Sequence, residues 1–216
     1  MKTGIITGAG RGIGHATARL LHQKDYRVIG TYRSGNYHDP LSQWLQLDLA
    51  DESFIQRFVA EIGDLKIDFL INNAGVLLED WSNPNVNMAQ LLETLQTNLI
   101  GTISLTEKLL PKLNRGAAIV NISSGWGAFS DTDFSEFQPY YKISKAGLNM
   151  YTKLLSRRLQ SRYIRVAAFD PGWVKTQMGG DDAMKSTAEV ALELFQLLKN
   201  DFPTGYFWLD GHPRKW

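Results

Sequence analysis

Short apolar runs alternate with longer amphipathic stretches along nearly the whole chain. Gly4–Thr7, Arg27–Thr31, Trp44–Leu47, Asp68–Asn72, Ala117–Ile122, Arg165–Phe169 and Tyr206–Leu209 are each rich in Val, Ile, Leu or aromatic residues and read as strands. Between them, Gly14–Gln23, Ser53–Ile62, Met88–Leu113, Tyr141–Gln160 and Thr187–Leu198 repeat apolar residues at three- and four-residue spacing and read as helices. Strand and helix in alternation call for βαβ units. The expected fold is α/β: a doubly wound parallel sheet of about seven strands with helices on both faces. Pro111, Asn114 and Gly116 punctuate the third helical stretch before the next strand.

No repeat, low-complexity tract or linker interrupts the pattern, and 216 residues with 44% hydrophobic content fit one domain spanning 1–216. The net charge of +1, from 23 basic and 22 acidic residues, provides no field that would select nucleic acid or an anionic membrane. The absence of cysteine removes disulfides, thiolate metal sites and a thiol nucleophile, and fits a reducing cytoplasm. The first strand starts almost at Met1, which leaves no room for a signal peptide, and no apolar run approaches a membrane span. A soluble cytoplasmic protein is expected.

In such a sheet the ligand crevice is built by loops leaving the carboxyl ends of the strands, here chiefly Ser34–Leu41, Leu77–Asn87, Gly125–Pro139 and Lys175–Ser186. The first turn reads Thr7-Gly8-Ala9-Gly10-Arg11-Gly12-Ile13-Gly14, between a strand and a helix. Glycines permit a sharp turn and close approach to a pyrophosphate, and the helix N-terminus adds free N–H groups. The strict G-x-G-x-x-G spacing fails, because Ile13 stands where the third glycine would fall. What remains is a variant with Gly8, Gly12 and Gly14.

A second signal is Pro139-Tyr140-Tyr141-Lys142-Ile143-Ser144-Lys145, opening the fourth helix. Residues i and i+4 share a face, so Tyr141 meets Lys145, whereas Tyr140 meets only Ser144. A phenol with a pKa of about 10 is a poor acid or base at neutral pH unless that pKa is brought nearer. An ammonium at roughly 4 Å, in an effective dielectric of about 20, is worth about 4 kcal/mol, which is on the order of three pKa units. Tyr141 and Lys145 are therefore the candidate proton-transfer pair.

The order Thr7-Gly8-x-x-x-Gly12-Ile13-Gly14, Asn72-Asn73-Ala74-Gly75, Thr97-Asn98-Leu99-Ile100-Gly101, Ile122-Ser123-Ser124, Tyr141-x-x-x-Lys145 and Pro171-Gly172-Trp173-Val174-Lys175-Thr176 resembles the classical short-chain dehydrogenase/reductase family from Thr3 to about Thr176. Pro203-Thr204-Gly205-Tyr206-Phe207-Trp208 resembles the closing strand of its carbonyl-reductase-like branch. The resemblance implies a Rossmann-type fold and assigns roles. Tyr141 would exchange a proton with the substrate oxygen, and Lys145 would lower the Tyr141 pKa and hold the nicotinamide ribose. Ser124 would hydrogen-bond the substrate carbonyl. Spacing alone does not choose between Ser123 and Ser124, since neighbouring strand residues face opposite ways. Asn98, mid-helix, would hold a water that links Lys145 to solvent.

By the same resemblance Gly8, Arg11, Gly12, Ile13, Gly14, Asn73, Ala74 and Gly75 would line the adenosine and pyrophosphate side of a nicotinamide dinucleotide. Asp48 and Leu49 would reach the adenine, although Asp48 or Asp51 serves equally as a helix cap. Pro171, Gly172, Val174 and Thr176 would close on the nicotinamide. The second strand ends Thr31-Tyr32-Arg33-Ser34, without the acid that holds a ribose 2′-hydroxyl. Arg33 and Arg11 can instead converge on a 2′-phosphate, so NADP(H) is expected in preference to NAD(H).

Ser124 and Tyr141 lie 17 positions apart, so Gly125–Pro139 should form an enlarged loop carrying Trp126, Phe129, Asp131, Asp133, Phe134, Glu136 and Phe137. Those residues suit a substrate wall or an oligomer contact. The short interval from Thr176 to Thr187 predicts an open, permissive site. His15, His22, His38 and His212 lack metal-ligand spacing, and Ser124 lacks a hydrolase elbow, so no metal is implied. An NADPH-dependent reductase of aldehydes or ketones, acting on a small carbonyl or alcohol and assembled as a homodimer or homotetramer, is the leading expectation. A nicotinamide-binding regulator without turnover is the alternative on the same fold.

Overall fold

The computed structural model describes residues 1–35, 43–79, 82–131 and 135–216. His38, Asp133, Phe134 and parts of three of the expected loops lie outside the described residues. Among the described residues eight strands form one sheet: β1 (Thr3–Ile6), β2 (Arg27–Tyr32), β3 (Gln43–Gln46), β4 (Ile67–Asn72), β5 (Leu113–Ile122), β6 (Arg165–Phe169), β7 (Tyr206–Leu209) and β8 (His212–Arg214). The order is β3-β2-β1-β4-β5-β6-β7-β8, parallel throughout except for β8.

Alternate side chains of the central strands enter two cores. Ile5 and Leu70 face one, with Ile55 and Phe58 of α2 (Glu52–Ile62), Leu105 and Leu109 of α4 (Thr102–Leu109), and Leu155 of α5 (Pro139–Arg158). Ile6 and Ile71 face the other, with Ala18 and Leu21 of α1 (Gly12–Gln23) and Val190 and Leu194 of α6 (Thr187–Lys199). The two-residue period of a strand thus sorts neighbours to opposite faces. Each fully buried Ile, Leu or Phe contributes about 1.5–3 kcal/mol of transfer free energy.

The expected third helix is built in pieces. α3 (Met88–Leu95) is capped by the Asn87 side chain, which accepts from the Ala89 and Gln90 N–H groups. It runs through a π-helical segment, Gln96–Gly101, into α4 and a 3-10 turn, Leu110–Lys112. Wider π turns mark functional positions in many helices, and this one contains Asn98.

The eighth strand is an addition to the seven read from sequence. Asp210 and Gly211 both have positive φ, 52° and 75°, which makes the tight turn that folds β8 back on β7. The sheet order reverses direction between β1 and β4, so the loops after these two strands flank a crevice at the topological switch point.

Candidate active site

The glycine turn and the segment after β4 are tied together by hydrogen bonds. The Thr7 hydroxyl accepts from the N–H groups of Asn73 (2.9 Å) and Ala74 (3.0 Å), and the Asn73 amide donates to the carbonyls of Thr7 and Gly8. A Cβ at Gly14 would lie 2.5 Å from both the Asn73 Nδ2 and the Gly8 carbonyl oxygen. This approach demands glycine at 14. The start of α1 has neither a side-chain cap nor an acid in its first turn. Its N–H groups therefore face the crevice end of β1, as an anion-binding turn requires.

On the opposite wall the structure separates the two serines. Ser123 is buried and donates to the Asn149 Oδ1 at 2.6 Å, whereas the Ser124 hydroxyl stands beside the Tyr141 phenol and accepts from the Trp126 N–H at 3.2 Å. Trp126 meets the Tyr141 ring edge to face, with centroids 6.1 Å apart. Lys145 is buried beneath the same ring, its Nζ 5.3 Å from the centroid and donating to the Ile122 carbonyl at 2.8 Å.

The charge balance differs from the sequence expectation. Burial raises the Tyr141 pKa above its ordinary value, and the carboxylates of Asp170 and Glu79 push it further in the same direction, against the hydrogen bond from Ser124. Burial also pulls Lys145 down to about 8. The ammonium donates to the Ile122 carbonyl while standing 5.3 Å from the centre of the Tyr141 ring.

The Asn98 side chain is bonded within the chain. Its Nδ2 donates to the Val76 carbonyl (2.8 Å) and the Ser144 hydroxyl (3.1 Å), while its Oδ1 accepts from the Val76 N–H (2.8 Å). These bonds lash the π-helical segment to the strand extension beyond Gly75. Asp48 accepts from the Ala50 N–H, and Asp51 is the cap of α2. Leu49 belongs to the hydrophobic core, with its carbonyl packed against Gly101. Of that pair only Asp48 keeps a partly exposed side chain.

Arg33 is exposed at the end of β2, beside the glycine turn that follows β1. The Arg11 guanidinium hydrogen-bonds Gln177, in the loop after β6, where Thr176 also lies against Gly12. That loop is closed by a bridge between Val174 and Lys185, and no helix forms between Thr176 and Thr187. Pro171 and Gly172 lead into it behind Asp170, whose carboxylate accepts from the Gly172 N–H.

A sequence profile of the short chain dehydrogenases matches residues 2–186. The chain belongs to that family. It is 33% identical over 221 residues to a 3-oxoacyl-acyl-carrier-protein reductase of Aquifex aeolicus, covering 95% of this chain and 84% of the relative. The fold superposes on a short-chain dehydrogenase/reductase from Burkholderia multivorans with bound NADP, at a TM-score of 0.91, 26% identity and coverage of 100% and 99%. It also superposes on an NADPH-bound carbonyl reductase from chicken fatty liver, at a TM-score of 0.90, 27% identity and the same coverage.

Within this short-chain dehydrogenase several site-building residues escaped the sequence reading. Buried Asn72, Asn121, Thr106 and Thr152 form a hydrogen-bonded chain between the sheet and two helices. The Tyr140 hydroxyl donates to the Asn85 carbonyl and accepts from the Asn87 N–H, which anchors the segment after β4. A cavity of about 670 Å³ opens there, lined by Glu79, Asn85, Gln90 and Tyr140 among others. The loop after Ser124 is held within the chain: Ser130 bonds the backbones of Lys215 and Trp216, and Arg214 pairs with Asp170. Only the Asp210-Gly211 turn announced that hairpin in the sequence.

Proposed function

We propose that this protein is an NADPH-dependent reductase of aldehydes or ketones, with residues 1–216 acting as one cofactor-binding catalytic domain. The observation that carries the reading is the meeting of the Ser124 hydroxyl, the Tyr141 phenol and the Lys145 ammonium at one end of α5.

The residues at the switch point fit a dinucleotide. The uncapped start of α1, the close Gly14–Asn73 contact and an exposed Arg33 suit a pyrophosphate and a 2′-phosphate. The NADP(H) bound by the Burkholderia multivorans and chicken proteins supports that choice. When bound, the cofactor supplies a hydride to the carbonyl carbon. Ser124 donates a hydrogen bond to the carbonyl oxygen, and Tyr141 transfers its proton to that oxygen as negative charge develops there. Burial and the nearby carboxylates hold Tyr141 in its protonated form, the form a reductase needs. Lys145, largely cationic at neutral pH, stabilises the phenolate left behind. Asn98 fixes the segment that backs Lys145 through Val76 and Ser144.

The test is consumption of NADPH and, separately, NADH by the purified protein with a panel of aldehydes, diketones and quinones. NADPH-dependent turnover is the expected result. Tight NADPH binding without turnover on any member would favour a regulator.

A further inference from the structure

Glu79 follows β4 in sequence, yet it reaches the first turn of α5. Only 7% of its surface is exposed. Its Oε1 accepts from the Tyr141 N–H at 2.6 Å and its Oε2 from the Leu78 N–H at 3.1 Å. Among the described residues no cation pairs with it.

The start of α5 has need of such a partner. Its N-cap, Gln138, is left-handed and makes no side-chain cap, and Pro139 has no N–H to offer. The acceptor for Tyr141 comes instead from Glu79, 62 residues earlier in the chain. A carboxylate is suited to the place, because two backbone donors need two acceptor oxygens and the positive end of a twenty-residue helix favours negative charge.

We propose that Glu79 is a positioning residue for Tyr141: its buried carboxylate grips the backbone of the proton donor itself and fixes where the phenol stands against Ser124. The proposal rests on the reductase reading for its consequence in turnover. The charged groups facing Tyr141 are Glu79 from the segment after β4, Asp170 after β6 with its partner Arg214 of β8, and Lys145 of the same helix. Lys142, also on α5, lies over Trp126. Loss of the Glu79 charge removes one of the two carboxylates that favour the protonated phenol.

The experiment compares Glu79→Ala and Glu79→Gln with the parent, after thermal melts establish that each is folded. Glu79→Ala should lower kcat on the order of tenfold or more with little change in NADPH affinity, because a displaced donor weakens the chemical step. Glu79→Gln retains one acceptor and should recover part of that loss. The Tyr141 amide proton, read by NMR, should move upfield in both variants as the bond to a carboxylate is lost. Parental kcat in folded Glu79→Ala, or an unmoved Tyr141 amide, overturns the proposal. If the parent turns over no carbonyl compound, the reductase reading fails, and the amide resonance alone decides whether Glu79 holds Tyr141.

Discussion

The Ser124 hydroxyl stands beside the Tyr141 phenol, while the adjacent Ser123 is turned away into a buried bond with Asn149. One residue of register along the end of β5 therefore separates a group beside the Tyr141 phenol from a group that holds the fold. Ser124→Ala should lower kcat on the order of a hundredfold with little change in melting temperature. Ser123→Ala should do the reverse, costing about 1–3 kcal/mol by leaving the Asn149 acceptor unpaired. Steady-state kinetics and melts of the two variants check the assignment, and equal kinetic losses would contradict it.

A pH dependence follows from Lys145. Burial places its pKa at about 8, so the ammonium is present below that pH and disappears as pH rises through it. Carbonyl reduction should fall over the same interval, since the phenolate formed by proton transfer loses its counter-charge. For stability the sign is opposite: a depressed lysine pKa means that folding releases a proton, so the burial penalty is full below about 8 and vanishes above the unfolded value of 10.5. A pH profile of kcat that stays level from pH 7 to 10 would remove Lys145 from this role.

Cofactor choice rests on Arg33, exposed at the end of β2 where no acid stands. Arg33→Asp should reduce kcat/KM for NADPH on the order of tenfold or more and shift preference towards NADH, since an acid at that place accepts from a ribose 2′-hydroxyl and repels a 2′-phosphate. An unchanged ratio of the two cofactors would place the phosphate elsewhere.

Gly14 supports a test of the crevice itself. A Cβ there would collide with the Asn73 amide and the Gly8 carbonyl. Gly14→Ala should destabilise the fold by about 1–3 kcal/mol and weaken NADPH binding, because the turn and the segment after β4 must part to admit the methyl group. Calorimetry and cofactor titration measure both effects.

Most of the sheet was legible in sequence because buried parallel strands are continuous apolar runs and their crossover helices keep a different period. β8 was not, since it spans only His212–Arg214, includes Pro213 and carries no alternation. The Tyr141–Lys145 spacing was legible as a helix face. Glu79 was not, because its bond to Tyr141 joins a loop to a helix 62 residues later and is set by the packing of α5 on the segment after β4. The charges around Tyr141 were legible only in part for a related reason. The cation lies on the tyrosine's own helix and was visible, but the two opposing carboxylates come from other strands' ends.

The most direct test of the account is Tyr141→Phe, assayed beside the parent for NADPH binding and for NADPH consumption with a carbonyl compound that the parent reduces. Retained cofactor affinity with turnover reduced by about a hundredfold or more is the predicted result, because the phenol's proton is removed and little else. A phenylalanine variant that turns over like the parent would contradict Tyr141 as the proton donor.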